Sequence, residues 1–541
     1  MAIVILPTST WRNSVEVAAA DGTWQQATGG PFNWNDPANW LLNFVPKNIG
    51  DRALLNAINL TADQTIQIDT SVFLASLQIG DTVGTNSYNL VNGGGSLTFD
   101  GRGTTTSLVK SGAGHDFIGA NITLNDNLAL DILGTGALTI SGAISSSGAK
   151  GIVVNTAPGS YLELSGNNSF FGGLTLASGR LRAVGNANAL GSGTGALNLT
   201  GGGTVLELVS DTALNFGRDT AISGNTNIVL DRLTPGAGVT YTLGQLTIAN
   251  QTLSVTAGAN VTGGTAGLTF GAVNVAGGPA VISVANPTAG TTLLTFGAMT
   301  NGAFGLTLNG DGNFAQTGPL GGGAGSITFA GTGNLSLNQA NTFTGALIVS
   351  SGTVTATSNA AALGAGTLVM NGGQLLLTNA SGTNLSFNRN TTISSPTSIM
   401  SDVASSGAGN TYTLGTLRMG SSTLTVLGGG NVVSGVAGLT FGATALTTDA
   451  TFDVRNPSAG VTTLTLGALT DLGTARVLNL LNNAAGTSNV TLGTAATSLT
   501  DGTVVNVTGG AGGVNLALNA AGALGSLAQV NLASGGTLTL G

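Results

Sequence analysis

Residues Asn341-Thr342-Phe343-Thr344-Gly345-Ala346-Leu347 closely repeat a stretch 173 positions earlier, Asn168-Ser169-Phe170-Phe171-Gly172-Gly173-Leu174. Each copy is followed at the same interval by a second short sequence motif, Ala362-Leu363-Gly364 in the later copy and Ala189-Leu190-Gly191 in the earlier one. Short recurring motifs of this kind are called words below. Further words recur at offsets of 171 and then 170, so small insertions and deletions fall between the words. Turns between stacked strands tolerate such changes, and the repeat therefore indicates a stack of strands.

Short stretches in which apolar and polar residues alternate fill the chain from about residue 65 onward. Because side chains alternate between the two sides of a strand, the first and third residues of each word should be buried and the middle one should face outward. The predicted core therefore contains Leu174, Leu176, Leu197, Leu199, Leu347, Val349, Leu368 and Met370, whereas Thr175, Asn198 and Ile348 should point outward. Glycine-containing pairs separate the words at intervals too short for helices, which predicts an all-β chain.

The recurrence of one small strand word without long connections favours a right-handed parallel β-helix, or β-solenoid, over a sandwich or a barrel. At roughly 20 residues per coil, the chain after the first 70 residues should form about 23 coils, and each long repeat about eight of them. An open solenoid end has to be covered. Residues 1–70 contain all four tryptophans, Trp11, Trp24, Trp34 and Trp40, and are predicted to form an aromatic-rich N-terminal cap.

The repeats divide the remainder of the chain. We predict that 71–161 form the first coils, 162–334 long repeat 1, 335–496 long repeat 2, and 497–541 the start of a third, incomplete repeat. In the last segment the repeat begins again with Ala523-Leu524-Gly525, and the sequence ends at Gly541 within this third copy.

Composition limits the classes of function. Only 7% of the residues are charged, the net charge is −8, and there is no cysteine. A net negative charge without a basic stripe argues against nucleic-acid binding, and the absence of cysteine excludes disulfides and thiolate metal sites. The apolar run before Pro7 is too short for a membrane span and lacks the basic start of a signal peptide, so neither is predicted there.

The two copies resemble the autotransporter-associated β-strand repeat of large bacterial surface and secreted proteins. The resemblance is carried by Gly166-Asn167-Asn168-Ser169-Phe170, Ser178-Gly179-Arg180-Leu181 and Ala189-Leu190-Gly191-Ser192-Gly193, and by their later counterparts. The aromatic segment around Trp34 and Trp40 is also similar to the opening of such proteins. The resemblance implies an exported bacterial β-solenoid, and it specifies neither a ligand nor a reaction.

Several residues could in principle carry chemistry. Polysaccharide-cleaving enzymes need clustered carboxylates, and the candidates are Glu207 with Asp211, and Asp449 with Asp453 and Arg455. Asp449 and Asp453 should share one face of a strand about 13 Å apart, which is too far for joint action. His115 is the only histidine, and Gly310-Asp311-Gly312-Asn313 is a lone candidate calcium loop. The tryptophans could stack on sugars, although burial in the cap is the favoured interpretation.

We therefore expect no catalytic, cofactor-binding or metal-binding residue, and an extracellular β-solenoid with a structural, scaffold or adhesive role at a bacterial cell surface. The first alternative is a subunit of a self-assembling surface filament or layer, and the second is a polysaccharide lyase or hydrolase. The expected partners are a cell-surface or matrix component, or copies of the chain joined through residues 1–7 and the C-terminal edge. No nucleic-acid partner and no membrane span are expected.

Overall fold

The computed structural model of the protein describes residues 19–456, 459–492, 498–518, 524 and 529–540. The chain divides into two compact units, Met1–Gly173 and Leu174–Gly541. Both are β-solenoids of parallel strands, and together they contain about 19 turns. The predicted parallel β-helix is thus confirmed. The helices of the described residues are two short 3-10 turns, Pro37–Asn39 and Leu41–Asn43.

Strands in the first unit stack into three parallel ladders. Ladder 1 contains Asp21–Thr23, Asp51–Leu55, Ser71–Ile79, Thr106–Lys110, Leu128–Ile132 and Ile152–Thr156. Ladder 2 contains Phe32–Asn33, Gln64–Ile68, Tyr88–Asn92, Asp116–Ile118, Leu138–Ile140 and Leu162–Leu164. Ladder 3 branches from the first half of Ser71–Ile79 and contains Ser96–Phe99, Ile122–Leu124 and Ile144–Ser146.

The first coil of this unit is built around aromatic side chains. Trp24, Trp34 and Trp40 have no solvent exposure, and neighbouring rings meet edge to face with centroids 5.0 and 4.8 Å apart. Their indole N–H groups donate to Gln64 Oε1, Pro46 O and Trp34 O respectively. These three tryptophans are therefore interior residues, as the cap interpretation predicts, and they present no face to a sugar. Trp11 lies outside the described residues.

The second unit contains four main ladders. Ladder 4 contains Leu174–Ser178, Leu197–Leu199, Thr220–Ile222, Leu246–Ile248, Val273–Val275, Met299–Thr300 and Leu320–Gly321. Ladder 5 contains Arg180–Val184, Thr204–Val209, Thr226–Asp231, Thr252–Ala257, Ala280–Ala285, Leu306–Gly310, Ile327–Phe329, Leu347–Val349, Leu368–Met370, Thr391–Ile393, Leu417–Met419, Thr444–Leu446 and Leu469–Thr470.

Ladder 6 contains Leu214–Asn215, Thr240–Thr242, Thr265–Phe270, Thr291–Phe296, Asn313–Gln316, Asn334–Leu337, Thr353–Thr357, Gln374–Thr378, Thr397–Ser401, Thr423–Gly428, Ala450–Arg455, Val477–Leu481, Val504–Thr508 and Gln529–Leu532. Ladder 7 contains Leu385–Ser386, Thr411–Thr413, Val436–Phe441, Val461–Leu466, Ser488–Leu492, Val514–Leu518 and Gly536–Leu540. Two smaller pairs, Gly236–Ala237 with Val261–Gly263 and Gly407–Ala408 with Val432–Ser434, lie at corners.

The predicted sorting of side chains is confirmed. Leu174, Leu176, Leu197, Leu199, Leu347, Val349, Leu368 and Met370 are all buried, and Thr175, Asn198 and Ile348 are partly exposed on the outer side. Leu174 lies opposite Leu197, and Leu347 lies opposite Leu368, in parallel register. The apolar residues thus form columns along the interior.

There are fewer coils than the predicted 23 because many coils are longer than 20 residues. Ile327 lies opposite Leu347, but Leu253 lies opposite Ile282. The longer coil has longer strands in ladders 5 and 6 and two additional strands, Val261–Gly263 and Val273–Val275, whereas the strands of the shorter coil are Ile327–Phe329 and Asn334–Leu337.

The long repeat is also not a whole number of coils. Leu174–Ser178 lies in ladder 4, whereas its sequence counterpart Leu347–Val349 lies in ladder 5. Seven pairings connect Arg180–Val184 with Leu347–Val349 within ladder 5. In the same way Thr240–Thr242 lies in ladder 6 and its counterpart Thr411–Thr413 in ladder 7. Each long repeat therefore advances by seven coils and one further side, and not by eight coils.

Candidate functional site

The first predicted carboxylate pair does not form a common site. Glu207 accepts hydrogen bonds from Arg180 and Arg182, with N–O distances of 2.9 and 2.7 Å. Asp211 accepts from the backbone N–H groups of Leu233 and Thr234 and from the Thr234 hydroxyl. These hydrogen bonds lower the pKa of Asp211, and the backbone N–H of Thr234 makes the largest contribution. Each carboxylate is engaged by its own neighbours, which suits a structural role better than proton transfer.

The two carboxylates of the second predicted site, Asp449 and Asp453, lie in different environments. Asp449 is exposed and accepts from the backbone N–H of Val477. Asp453 is buried, pairs with Arg455 at 2.7 Å and accepts from Asn483. Arg455 therefore neutralises Asp453 within one strand and leaves Asp449 apart from the pair, so the arrangement offers no pair of cooperating carboxylates.

His115 lies on the outside of the first unit. Its ring stacks on Phe117 at 4.3 Å and meets Tyr161 edge to face, and its Nε2 is 2.9 Å from the Thr139 hydroxyl. The candidate calcium loop is occupied by contacts of its own, because Asp311 accepts from Asn286 N–H through Oδ1. Within the described ranges no group of three or more His, Asp or Glu side chains is arranged to hold a metal ion.

A buried charged pair in the first unit was not predicted. Lys110 ends one strand of ladder 1 and Asp116 begins the next strand of ladder 2, and both side chains point into the interior with no solvent exposure. Lys110 Nζ lies 3.2 Å from Asp116 Oδ2. The Nζ group donates to the backbone carbonyls of Ser111 and Gly112, and Oδ2 itself accepts no hydrogen bond from the described residues. Amine and carboxyl are thus in direct contact in an interior that is inaccessible to bulk solvent.

Two further polar side chains accompany this pair. The backbone N–H of Tyr88 donates to Asp116 Oδ1 at 2.7 Å, whereas the buried Tyr88 hydroxyl has no hydrogen-bond partner in the part of the chain that the structure describes. Asp81 is also buried and accepts from Leu60 N–H. Burial raises the pKa of Asp116 to about 6, although Lys110 and the Tyr88 N–H act in the opposite direction. Burial, together with the charges of Asp116 and Asp81, raises the pKa of the Tyr88 hydroxyl.

The strand pattern contains a signal for this pair. Lys110 follows Leu108 by two positions, and Asp116 precedes Ile118 by two, so the period of two places both charges on the buried side. In the ladders Lys110 lies between Ile79 and Ile132 in an otherwise apolar column. An ionisable residue at an inward position of a predicted strand would have identified the site.

The outer surface of the second unit carries regular polar rows. Outward threonines in ladder 7 occupy equivalent positions on successive strands, namely Thr413, Thr440, Thr465 and Thr491. On ladder 5 a shallow groove with a volume of about 390 Å³ is lined by uncharged residues, among them Asn225, Asn227, Thr252 and Ser254. Rows and groove both offer hydroxyl and amide groups at the spacing of parallel strands, about 4.8 Å.

Comparisons with known proteins give no relative: no family model, no curated protein and no solved structure matches the chain. The helices found among the described residues are too short to cross a bilayer. Residues 1–7 lie outside the described residues, so strand joining through them stays a prediction.

Proposed function

We propose that the chain is an extracellular β-solenoid of a bacterial cell surface, with a structural and adhesive role and no catalysis. The observation that carries the proposal is the set of uncharged threonine rows and the uncharged groove on the outer surface, where hydroxyl and amide groups repeat from strand to strand. Such a surface suits a neutral, hydroxyl-rich matrix component, because both partners can exchange hydrogen bonds without desolvating charges. The carboxylates that could have supported catalysis are each engaged by local partners.

The resemblance to autotransporter-associated repeats is part of the proposal, and the packing of its words supports it. Asn341 accepts from Leu320 N–H and donates to Ala362 O on the next coil at 2.6 Å. The backbone N–H of Ala365 donates to Phe343 O, and Gly364 faces the Phe343 ring. The two recurring words of the repeat thus contact one another on successive coils, which gives a physical reason for their fixed interval.

Two measurements test the proposal. Antibodies to the chain should label intact cells of the bacterium that encodes it, and external protease should remove the label; labelling only after permeabilisation would contradict the surface location.

Purified chain should also bind the extracellular polysaccharide of those cells. We expect Asn227→Lys, in the groove, to weaken this binding at least several-fold, whereas Asn198→Lys, outward on ladder 4, leaves it unchanged. Equal binding by both variants would remove the groove from the proposal, and no binding by the wild type would remove the adhesive role.

A further inference from the structure

We propose that Lys110 and Asp116 condense into an intramolecular isopeptide bond between Nζ and Cγ. The pair has what such a reaction needs: a primary amine 3.2 Å from a carboxyl oxygen, both fully buried, at the ends of two strands fixed by their ladders. Holding the two groups in contact converts an improbable bimolecular encounter into an intramolecular step. The chain contains no cysteine, so the bond is a covalent link that it can form without disulfides.

The step balances without any added reagent. A proton passes within the pair from the ammonium to Oδ2, because a low-dielectric interior disfavours two separated charges. The Nζ lone pair then forms a bond to Cγ, a second proton moves from Nζ to the Oδ2 hydroxyl, and the C–Oδ2 bond breaks. The products are one amide and one water molecule, and nothing is oxidised or reduced.

Each polar contact of the pair has a place in this reaction. The two N–H groups of a neutral Lys110 amine are directed to Ser111 O and Gly112 O, which leaves the lone pair free to approach Asp116. The Tyr88 N–H donates to Oδ1, where negative charge develops as the tetrahedral intermediate forms. Oδ2 receives no hydrogen bond and is the oxygen that leaves. The raised pKa of Asp116 agrees with a carboxyl that takes up the proton.

A second ion pair in the same unit serves as an internal control. Lys150 Nζ lies 3.5 Å from Asp126 Oδ1, but the Lys150 side chain is 34% exposed. Solvent reaches that amine, so we expect no amide bond between Lys150 and Asp126. The comparison separates the effect of burial from that of distance.

The test is mass spectrometry of the full-length wild-type protein after denaturation and trypsin digestion. Arg102 and Lys150 flank the site, and Lys110 is the only tryptic position between them. The bond predicts an intact mass lower by one water molecule, complete loss of cleavage after Lys110, and one peptide, 103–150, that lacks one water. Cleavage after Lys150 should proceed normally.

Separate peptides 103–110 and 111–150 of unmodified mass would overturn the proposal. So would water loss confined to peptide 111–150 with cleavage after Lys110, because that result identifies a succinimide. Lys110→Arg should restore the full mass and cleavage at position 110, and Tyr88→Phe, which keeps the backbone N–H, should retain the bond. The wild-type digest decides the matter even if a variant fails to fold.

Discussion

Buried tyrosine hydroxyls differ in what holds them, and the difference predicts opposite effects of the same substitution. Tyr88 has a buried hydroxyl without a partner, whereas the Tyr412 hydroxyl donates to Asp402 O at 2.7 Å and accepts from Asn410. Removing an unsatisfied polar group is neutral or stabilising, but removing a satisfied one leaves its partners unpaired. We expect Tyr88→Phe to leave local stability unchanged or raise it by up to about 1 kcal/mol, and Tyr412→Phe to lower it by about 1–2 kcal/mol.

Hydrogen exchange of the amides in the strands around each tyrosine measures these local free energies. The two variants are matched, since each deletes one oxygen from a fully buried ring. An equal loss at both positions would show that the Tyr88 hydroxyl has a partner after all.

A second prediction at this scale concerns pH. Asp471 is buried, which alone would raise its pKa, but hydrogen bonds from Thr503, Thr500 and Gly473 outweigh burial and lower it. Because the folded pKa is lower than the unfolded one, the carboxylate stabilises the fold above the ordinary value of 3.8, and this stabilisation is lost as the pH falls through the folded pKa. Asp471→Asn should therefore cost about 2 kcal/mol at neutral pH and less at about pH 3.

The measurement for Asp471 is hydrogen exchange at the Thr500 amide, which donates to Oδ2 at 2.6 Å. Exchange rates in wild type and variant are compared at each pH after correction for intrinsic exchange. A deficit that stays constant between the two pH values would contradict the assigned ionisation.

At the scale of the strand, neighbouring leucines test the sorting of side chains. In Gln374–Thr378 the side chain of Leu377 is fully buried, and that of Leu376 faces outward. We expect Leu377→Ala to destabilise the fold by about 2–5 kcal/mol, because it removes a core side chain and leaves a cavity. Leu376→Ala should cost less than about 1 kcal/mol. Chemical denaturation of both variants checks this, and similar losses would mean that the outer side of this strand is covered.

Glycines at corners of the coil provide a second test at this scale. Gly364 and Gly382 both have positive φ, 75° and 72°, so a side chain at either adds backbone strain of about 1–2 kcal/mol. A β-carbon at Gly364 would also collide with the ring of Phe343, whereas one at Gly382 meets open space. Gly364→Ala should therefore lower the melting temperature clearly more than Gly382→Ala. Equal shifts would assign the whole effect to strain and none to the ring.

The strands also show which features of the fold could be predicted from the sequence and which could not. The period of two placed Ile348 outward despite its apolar side chain, since its neighbours Leu347 and Val349 fill the inner positions. Lys110 was not predicted to be buried, because the core was predicted from apolar residues alone and Lys110 is a charged residue at an inward position. The rotation of the repeat could not be predicted, because the offset between words does not fix how many residues each coil takes up.

At the scale of the whole second unit, the rotation decides how repeated features are displayed. A word that recurs after seven coils and one side faces a different direction from its first copy, as Thr240–Thr242 on ladder 6 and Thr411–Thr413 on ladder 7 do. Sequence repeats therefore distribute equivalent polar rows around the solenoid instead of lining them up on one ladder. A partner bound through such rows would find equivalent positions on more than one side of the unit.

The coil, and not the long repeat, should be the unit that can be removed without loss of the fold. Leu246 lies opposite Val273, so residues 246–272 form one complete coil. Deleting them brings Thr220–Ile222 opposite Val273–Val275 in ladder 4, and the strands of ladders 5 and 6 close up in the same way. Because each coil contacts mainly its two neighbours, stability should fall only by roughly one coil's share. We expect unchanged far-ultraviolet circular dichroism per residue and a cooperative thermal transition.

A deletion of residues 246–258 is the matched control, because it removes the strands of ladders 4 and 5 and leaves that of ladder 6 in place. The following chain then enters the stack out of phase, so that inward leucines meet corners and backbone groups lose their ladder partners. This shorter deletion should cost more than the longer one and yield a chain with weaker β-sheet signal and a broad transition. If the two deletions behave alike, or if the complete coil cannot be removed, then stacking of equivalent coils is not what stabilises this unit.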